Sequence, residues 1–272
     1  MRINTVKRAL AAGDVAIGTM MFEFATPGIG RIAAEAGAAF VIYDMEHSGW
    51  SIETIRMLMA TTRAADTVPL VRVPAIQYHL LARPLDAGAM GLMIPMVETE
   101  AQARSIVRSA RYAPDGARGM AFAIAHDDYV DGDIVAKMRS ANDEVLLIAQ
   151  IETVAGVDQV DRIAAVDGID VLWIGHFDLT ASLGIPGQFE HPDYLRSVDR
   201  VLDACHRNGK TAGIMATDVA SGQSLLRQGF RAIAFGGDLW IYGQALKEGI
   251  GALANGVQAS AQTGMTVFPR ND

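Results

Sequence analysis

The chain has little of what nucleic-acid-binding, disulfide-stabilised and membrane-spanning proteins depend on. Its 272 residues include 23 lysines and arginines against 31 aspartates and glutamates, and the net charge of -8 argues against a nucleic-acid surface. A single cysteine, Cys205, excludes an intrachain disulfide. No stretch approaches the roughly 18 apolar residues of a membrane span, and residues 1–8 lack the apolar core of a signal peptide. We therefore expect a cytoplasmic protein without nucleic-acid or membrane partners.

Half of the residues are hydrophobic, and apolar runs alternate with helix-period segments along the chain. Each run precedes a plausible helix, which is the pattern of a (β/α)8 TIM barrel in the α/β class. No composition shift marks a linker, so we expect one domain over residues 1–272, with 250–272 a weakly periodic C-terminal extension. The eight predicted strands are Ala16–Met21, Ala39–Asp44, Pro69–Val73, Gly91–Pro95, Val145–Ile151, Val171–Gly175, Thr211–Met215 and Ala232–Gly236.

Capping signals set the limits of several helices between these strands. Thr99 and Gln102 have the spacing of a capping box. His191-Pro192 begins a helix that Gly209 ends, with proline at the first helical position and glycine past the last. Apolar residues at every third position over Val154–Ile163 predict one helix there.

A long insert separates the fourth and fifth predicted strands. It contains a loop over residues 113–119 and a predicted helix near Asp128–Ser140. Long loops in compact domains are usually functional, so we expect the insert on the catalytic side of the barrel. Its histidine, His126, is expected to face solvent.

Two carboxylates close two successive predicted strands. Glu152 follows Val145–Ile151, and Asp178 comes three residues after Val171–Gly175. Because the carboxyl ends of parallel strands meet at one edge, we expect both side chains on the ligand-binding face. Two hard oxygen ligands that leave other positions open suit a divalent ion of the Mg²⁺ or Mn²⁺ type. Each acid alone could instead cap the helix that follows, but the pair favours a metal site.

Further charged residues fall at the same face. Asp44, Glu46 and His47 follow the second strand, and Arg72 lies in the third. Charged side chains at the ends of buried strands raise the free energy of the folded state unless they are paired or bind a ligand. His47 suits a general base, and the fork of Arg72 suits a carboxylate or a developing enolate oxygen. The alternatives are a structural His47 and an Arg72 that only pairs with Asp44 or Glu46.

The lysines bear on the mechanism because Schiff-base catalysis needs one inside the barrel near the catalytic face. Lys210 comes just before the seventh strand, at the opposite face, and the others fall in helices or in the N-terminal leader. A lysine-dependent aldolase is therefore disfavoured. The chain has only four lysines, which are Lys7, Lys137, Lys210 and Lys247.

Seven short motifs occur in an order that resembles one enzyme family, and they cover roughly residues 15–250. Together they resemble the HpcH/HpaI family of class II, metal-dependent pyruvate aldolases, which includes 4-hydroxy-2-oxoheptanedioate aldolase and the 2-keto-3-deoxy-sugar-acid aldolases. The motifs are Tyr43-Asp44-Met45-Glu46-His47, Val71-Arg72, Leu85-Asp86-Ala87-Gly88-Ala89, Ile94-Pro95-Met96-Val97, Ala110-Arg111-Tyr112 with Gly116-Ala117-Arg118-Gly119, Gln150-Ile151-Glu152-Thr153, and Ile174-Gly175-His176-Phe177-Asp178-Leu179.

The resemblance implies a role for each matching residue. Metal ligands would be Glu152 and Asp178, holding Mg²⁺, Mn²⁺ or Co²⁺. Arg72 would contact the pyruvyl oxygen and stabilise the enolate. The remaining implied roles are those of His47 as a base oriented by Asp86, and of Gln150 with the backbone near Gly175 as the carboxylate site.

The same resemblance implies an activity and an assembly. The enzyme would cleave or form 4-hydroxy-2-oxo acids from pyruvate, or a related 2-oxo acid, and an aldehyde. It would be a homo-oligomer, a hexamer in which C-terminal helices are exchanged between neighbours.

Three positions depart from the commonest family pattern. His176 and Phe177 are bulky where Pro and a small residue often stand, and Met45 replaces a small residue. The turn residues could lie near the ion or at a neighbouring subunit. Alternatively, Phe177 packs in the barrel rim while His176 faces solvent.

Two other functions compete with the aldolase. A citrate-lyase-β-like or malyl-CoA-type lyase needs basic residues for the CoA phosphates, and the acidic chain has no such cluster. A non-catalytic ligand-binding barrel is hard to reconcile with the presence of all five motif residues, namely His47, Arg72, Asp86, Glu152 and Asp178.

Overall fold

The computed structural model describes residues 2–262 and contains a closed barrel of eight parallel strands in sequential order. This confirms the predicted (β/α)8 fold, and each predicted strand end lies within one residue of the observed one. The strands are β1 Ala16–Met21, β2 Phe40–Asp44, β3 Val68–Arg72, β4 Gly91–Ile94, β5 Leu146–Ile151, β6 Val171–Ile174, β7 Thr211–Ala216 and β8 Ala232–Gly237.

Helices follow the strands and form the outer layer, with one further helix before β1. They are α1 Thr5–Ala11, α2 Ile29–Glu35, α3 Ile52–Thr62, α4 Tyr78–Asp86, α5 Glu100–Ala110, α6 Ile134–Glu144, α7 Val154–Asp158, α8 Val160–Ala164, α9 His176–Ser182, α10 Pro192–Asn208, α11 Val219–Gln228 and α12 Asp238–Gln262.

Alternation along the strands divides the core into two parts. One cluster fills the barrel interior, where Phe40, Leu70, Ile148 and Trp173 meet. The larger cluster packs the outward strand residues against the helices. Val6 and Leu10 of α1 belong to the interior cluster, so this helix closes the amino-terminal end of the barrel. The carboxyl-terminal end of the barrel is not closed by this helix and is available for a ligand site.

The capping predictions hold, but the helix predicted over Val154–Ile163 does not. Thr99 and Gln102 form the capping box of α5, and Gly209 ends α10 in the left-handed conformation. The predicted helix is interrupted at Gln159, whose backbone (φ -102°, ψ 5°) leaves helical geometry and divides it into α7 and α8. Val157, Val160 and Ile163 are buried as the periodicity predicts, whereas Val154 is exposed.

The prediction that the insert lies on the catalytic side is wrong. The insert follows α5 and precedes β5, and connections from a helix to the next strand begin and end at the amino-terminal side of a barrel. Its helix begins at Ile134 instead of near Asp128, because Asp128 and Tyr129 have φ of 65° and 57°, outside the right-handed helical region. His126 is buried against Tyr112, so its predicted exposure is also wrong.

The predicted C-terminal extension falls partly within the described residues. Residues 250–262 continue α12, and residues 263–272 lie outside the described part of the chain. Across residues 2–262, no helix has the length and apolarity needed to cross a membrane.

Candidate active site

A cavity of about 460 Å³ opens at the carboxyl ends of the strands. It lies where ligands bind in (β/α)8 enzymes, and the loops after the strands form its rim. Several predicted site residues line it, namely His47, Arg72, Gln150, Gly175 and Asp178, together with apolar side chains from β1, β6, β7 and the start of α12.

Arg72 is held by two acids from the end of β2. Its Nε donates to Asp44 Oδ1 at 2.5 Å, and its Nη1 lies 3.2 Å from Glu46 Oε2. Parallel pairing sets Asp44 opposite Arg72, so the β2–β3 register itself produces the first contact. The side chains of Arg72 and Asp44 are both buried, and this contact fixes the orientation of the guanidinium group, which lines the cavity. The predicted ion-pair role of Arg72 and its role at the cavity therefore coexist.

Glu46 is the acid that the site perturbs most visibly. Burial raises its pKa to about 7, an effect that Arg72 opposes and that the nearby carboxylates of Glu152, Asp44 and Asp178 reinforce. Its Oε2 is buried and accepts no hydrogen bond, so its contact with Arg72 is an ion pair only. The four carboxylates thus share one electrostatic environment in which negative charge exceeds the charge of Arg72.

Glu152 is 1% exposed and is held by neighbours on both sides. Met96 donates its backbone N–H to Oε1 at 2.7 Å, and Gln150 Nε2 donates to Oε2. Met96 has φ of 55°, an unusual conformation for a non-glycine residue that brings its amide to the carboxylate. Burial raises the pKa of Glu152. Thr153, not Glu152, caps α7, so the capping alternative for Glu152 is wrong.

Gly175 must lack a side chain because Glu152 lies directly against it. A Cβ at this position would lie 2.7 Å from Glu152 Cβ and would overlap its Oε2. The glycine therefore allows β5 and β6 to present Glu152 beside the cavity. The predicted association of Gly175 with the substrate site stays a prediction.

Asp178 lies in the first turn of α9, exposed and lining the cavity. The alternative in which Phe177 is packed and His176 faces solvent is wrong, because the two residues have the opposite exposures. His176 is buried, and burial lowers its pKa to about 4, so its imidazole is neutral near pH 7. Phe177 is 56% exposed, with its ring 4.6 Å from that of His176 and 5.3 Å from that of Phe189. Phe177 is therefore the solvent-exposed residue of the two, and His176 is buried in contact with its ring.

The donor set fits a divalent ion that is bound mostly by substrate and water. Glu152 and Asp178 interact electrostatically, and both lie in the same acid-rich environment as Glu46. Within the described residues, no group of three or more His, Cys, Asp and Glu has the geometry of a metal site. Ions such as Mg²⁺ are commonly held by one or two carboxylates, so two acids beside an open cavity suffice. The negative charge that Arg72 does not neutralise would attract the cation to these carboxylates.

His47 lies beside the cavity, but the predicted contact with Asp86 is not made within the chain. The backbone N–H of His47 donates to Asp44 Oδ2 at 2.8 Å. The Nε2 atom of its ring lies 3.8 Å from Glu46 Oε2. Asp86 ends α4, shortly before β4 begins, and therefore lies toward the opposite end of the barrel. Its carboxylate accepts from Arg118 Nη2 at 2.5 Å.

Sequence reasoning placed Asp238 at the end of the eighth strand but assigned no role to it. Asp238 begins α12 and accepts hydrogen bonds from the backbone N–H groups of Phe22, Glu23 and Phe24 at 2.9, 3.0 and 2.7 Å. These bonds fix the loop after β1 against the start of α12. An acid immediately after two glycines at the end of strand 8 was the available signal.

Comparison with known proteins identifies relatives over most of the chain. The family described as HpcH/HpaI aldolase/citrate lyase matches residues 19–245. A hydroxypyruvate/pyruvate aldolase of Roseovarius nubinhibens is 37% identical over 90% of this chain and 95% of its own length. A 5-keto-4-deoxy-D-glucarate aldolase of Escherichia coli O6:H1 is 33% identical over 90% and 94%. The crystal structure of an HpcH/HpaI aldolase from Desulfitobacterium hafniense has a TM-score of 0.87 at 33% identity, with 91% and 96% covered.

The extent of these matches separates common ancestry from a shared architecture. Unrelated enzymes use the (β/α)8 barrel, so the fold alone would not decide the activity. Here sequence identity above 30% extends over 90% of the chain. The chain therefore belongs to the HpcH/HpaI aldolase/citrate lyase family and is a carbon–carbon lyase of the aldolase type.

Proposed function

We propose that the protein is a divalent-metal-dependent aldolase that cleaves or forms 4-hydroxy-2-oxo acids. Pyruvate, or a related 2-oxo acid such as hydroxypyruvate, would be the product or donor that passes through an enolate. The observation that carries this proposal is that Arg72 and Asp178 line one cavity and that Glu152, buried beside it, interacts electrostatically with both. Relatives named for hydroxypyruvate, pyruvate and a keto-deoxy sugar acid support the substrate class.

Glu152 and Asp178 would hold the divalent ion, which acts when bound as a Lewis acid toward the 2-oxo acid. Arg72 faces the same cavity with its orientation fixed by Asp44, so it can stabilise an enolate oxygen without reorganising. Gln150 lines the cavity and is anchored through Glu152. Its buried Oε1 has no hydrogen bond, and its placement suits a role in positioning the 2-oxo acid.

His47 would take the proton that cleavage releases. As the C3–C4 bond breaks, its electron pair remains on C3 as the enolate, and the C4 hydroxyl loses its proton to yield the aldehyde. Addition of a proton at C3 then completes pyruvate. His47 is 57% exposed in its side chain, so it can exchange protons with solvent between turnovers.

The lysines support an enolate mechanism without a Schiff base. No lysine lies among the described residues that line the cavity. Lys7 donates to Val145 O at 2.8 Å, Lys137 pairs with Asp127 at 2.7 Å, and Lys210 donates to Val166 O at 3.2 Å. The fourth, Lys247, lies on α12.

The same lining weighs against the acyl-CoA alternative. Arg72 is the one arginine or lysine among the described lining residues, and Asp44 and Glu46 already engage it. CoA phosphates need cationic partners that this cavity does not offer. The structure adds no observation in favour of that function.

We also infer a homo-oligomer, a hexamer by family resemblance, in a reducing compartment such as the cytoplasm. The buried, unpaired Cys205 suits such a compartment. Light scattering of the purified protein tests the assembly. The observation that favours it is the apolar surface of α12 outside the cavity, which exposes Ile241, Tyr242, Leu246, Ile250 and Leu253.

The decisive experiment follows pyruvate release from a panel of 4-hydroxy-2-oxo acids. We expect chelation to abolish turnover and Mg²⁺, Mn²⁺ or Co²⁺ to restore it. Borohydride treatment in the presence of pyruvate should leave the protein mass unchanged. A covalent borohydride adduct, or full activity in the chelated protein, would overturn the proposal.

A further inference from the structure

The cavity is divided into a polar half and an apolar half. Arg72, Gln150 and Asp178 come from the β3, β5 and β6 side, where the 2-oxo acid would bind. The opposite wall comes mainly from the loop after β1, the end of β7 and the first turn of α12. Its apolar side chains are Met20, Phe22, Met215, Leu239 and Trp240, and Phe177 and Trp173 extend it from the β6 side.

Phe22 lies at the boundary between the halves. The Arg72 guanidinium carbon lies 5.6 Å from the centre of its ring, and the Trp240 ring packs edge-on at 5.0 Å. Asp238 anchors the backbone that carries both rings, since it accepts from the Phe22 N–H and begins the helix that contains Trp240. The apolar wall is therefore built on anchored backbone. Trp240 remains 50% exposed and Phe177 56% exposed, so both have surface left to cover a ligand.

The charges around the cavity disfavour an anionic second substrate. Arg72 is the one Lys or Arg among the described lining residues, and two acids already engage it. Glu23, on the apolar side, would repel a second carboxylate. A polyhydroxylated aldehyde would also lose hydrogen bonds to water on entering this half, because its wall presents mostly carbon.

We propose that the apolar half binds the aldehyde, and that the preferred acceptors are uncharged aldehydes with aliphatic or aromatic substituents. This inference rests on the proposed aldolase function and adds its acceptor class. Phe22, Phe177, Met215 and Trp240 are the specificity-determining residues. Each buried methylene of an acceptor adds about 0.8 kcal/mol, close to a fourfold gain in kcat/KM.

The test compares three acceptors of similar size with pyruvate as donor: isobutyraldehyde, glyceraldehyde and succinate semialdehyde. Rates are expressed per free carbonyl, because the three aldehydes hydrate differently. We expect kcat/KM for isobutyraldehyde to exceed that for glyceraldehyde about tenfold, and succinate semialdehyde to be poorest. Equal rates, or a preference for the anionic aldehyde, would overturn the acceptor inference.

Exchange of the pyruvate methyl protons with deuterium oxide separates this inference from the underlying function. Exchange needs enolate formation but no aldehyde. Metal-dependent exchange with no apolar preference would refute the acceptor class alone. Absence of exchange with every metal tested would refute the proposed function and the inference together.

Variants then locate the specificity. Trp240→Ala and Phe177→Ser should each reduce the isobutyraldehyde-to-glyceraldehyde ratio about threefold to tenfold. Tyr129→Ala is the matched control, an aromatic side chain 65% exposed in the insert and absent from the cavity lining, and should leave the ratio unchanged. Circular dichroism checks folding of each variant. An unchanged ratio in both folded variants, or a fall equal to that of the control, would overturn the assignment.

Discussion

The two ends of the barrel use charge in opposite ways. At the carboxyl end, Asp44, Glu46, Glu152 and Asp178 surround Arg72, so negative charge is left over. Toward the amino end and along the insert, several acids form ion pairs with basic side chains. These pairs include Lys7–Asp170, Arg8–Glu144, Arg118–Asp86 and Lys137–Asp127. Charges matched one to one stabilise a fold, whereas an unmatched cluster needs a ligand.

Cavity size does not distinguish the two ends. A cavity of about 640 Å³ lies at the amino end, larger than the 460 Å³ of the candidate site. Its basic residues are satisfied internally, since Lys210 donates to Val166 O and Arg231 to Phe230 O. The comparison therefore predicts that substitutions at the carboxyl end reduce activity more than stability. At the amino end the order should be reversed.

The largest expected effect is that of removing one carboxylate of the proposed metal site. Glu152→Gln keeps the size of the side chain and an oxygen able to accept from Met96, but it removes the charge. We expect turnover to fall by at least about 10³-fold, with the unfolding free energy changed by less than about 2 kcal/mol. Steady-state kinetics and urea unfolding measure the two quantities. Glu144→Gln, at the amino end, is the matched control and should show the reverse order.

A change of Arg72 to Lys tests geometry at constant charge. Lysine loses the fork that contacts Asp44 and Glu46 together, so a developing oxyanion loses a preorganised donor. We expect turnover to fall about 10²- to 10³-fold while the chain remains folded. Pyruvate deuterium exchange should fall in parallel. Turnover near that of the wild type would remove Arg72 from the catalytic set.

The fold was predictable because each strand carries its own signal, and the candidate site was predictable where a residue belongs to a strand end. Glu152 and Asp178 follow from strand periodicity, and Arg72 pairs with Asp44 through a register that parallel pairing dictates. The insert was misplaced because periodicity identifies elements without stating which end of the barrel a connection occupies. Counting the preceding helix would have corrected it.

Other features depend on contacts that no local pattern contains. The positive φ of Met96 and the three amides bound by Asp238 arise from packing between distant segments. His126 is buried because the insert folds back on Tyr112. The proposed partnership of Asp86 with His47 came from family resemblance. It stays a prediction, because the chain itself places Asp86 beside Arg118.

The next largest expected effect is a loss of stability on breaking the Asp86–Arg118 pair, which tests whether charges at the amino end serve the fold. Arg118 is 1% exposed in its side chain and contacts the Tyr112 ring at 4.7 Å, so loss of its acid leaves a buried charge. We expect Asp86→Asn to reduce the unfolding free energy by about 1–3 kcal/mol. A double-mutant cycle with Arg118→Gln should show coupling between the two residues. A fall in turnover for Asp86→Asn beyond that of Arg118→Gln would instead support the proposed link to His47.

The smallest predicted effect is a pH dependence confined to the insert. Burial by itself would raise the pKa of Asp127, but the hydrogen bond from Lys137 and those from the Ala123 and Ile124 amides outweigh it, and the net pKa is lowered. A folded-state pKa below the unfolded value of about 3.9 means that ionised Asp127 stabilises the fold above that pH. This contribution is lost as pH falls through the folded pKa. We expect Asp127→Asn to be less stable than the wild type by about 1 kcal/mol at pH 7, with the difference shrinking below pH ~4. Urea unfolding across this range measures it, with Asp131→Asn, an exposed acid of the same insert, as the control. A difference between wild type and Asp127→Asn that stayed constant down to pH ~2 would contradict the assignment.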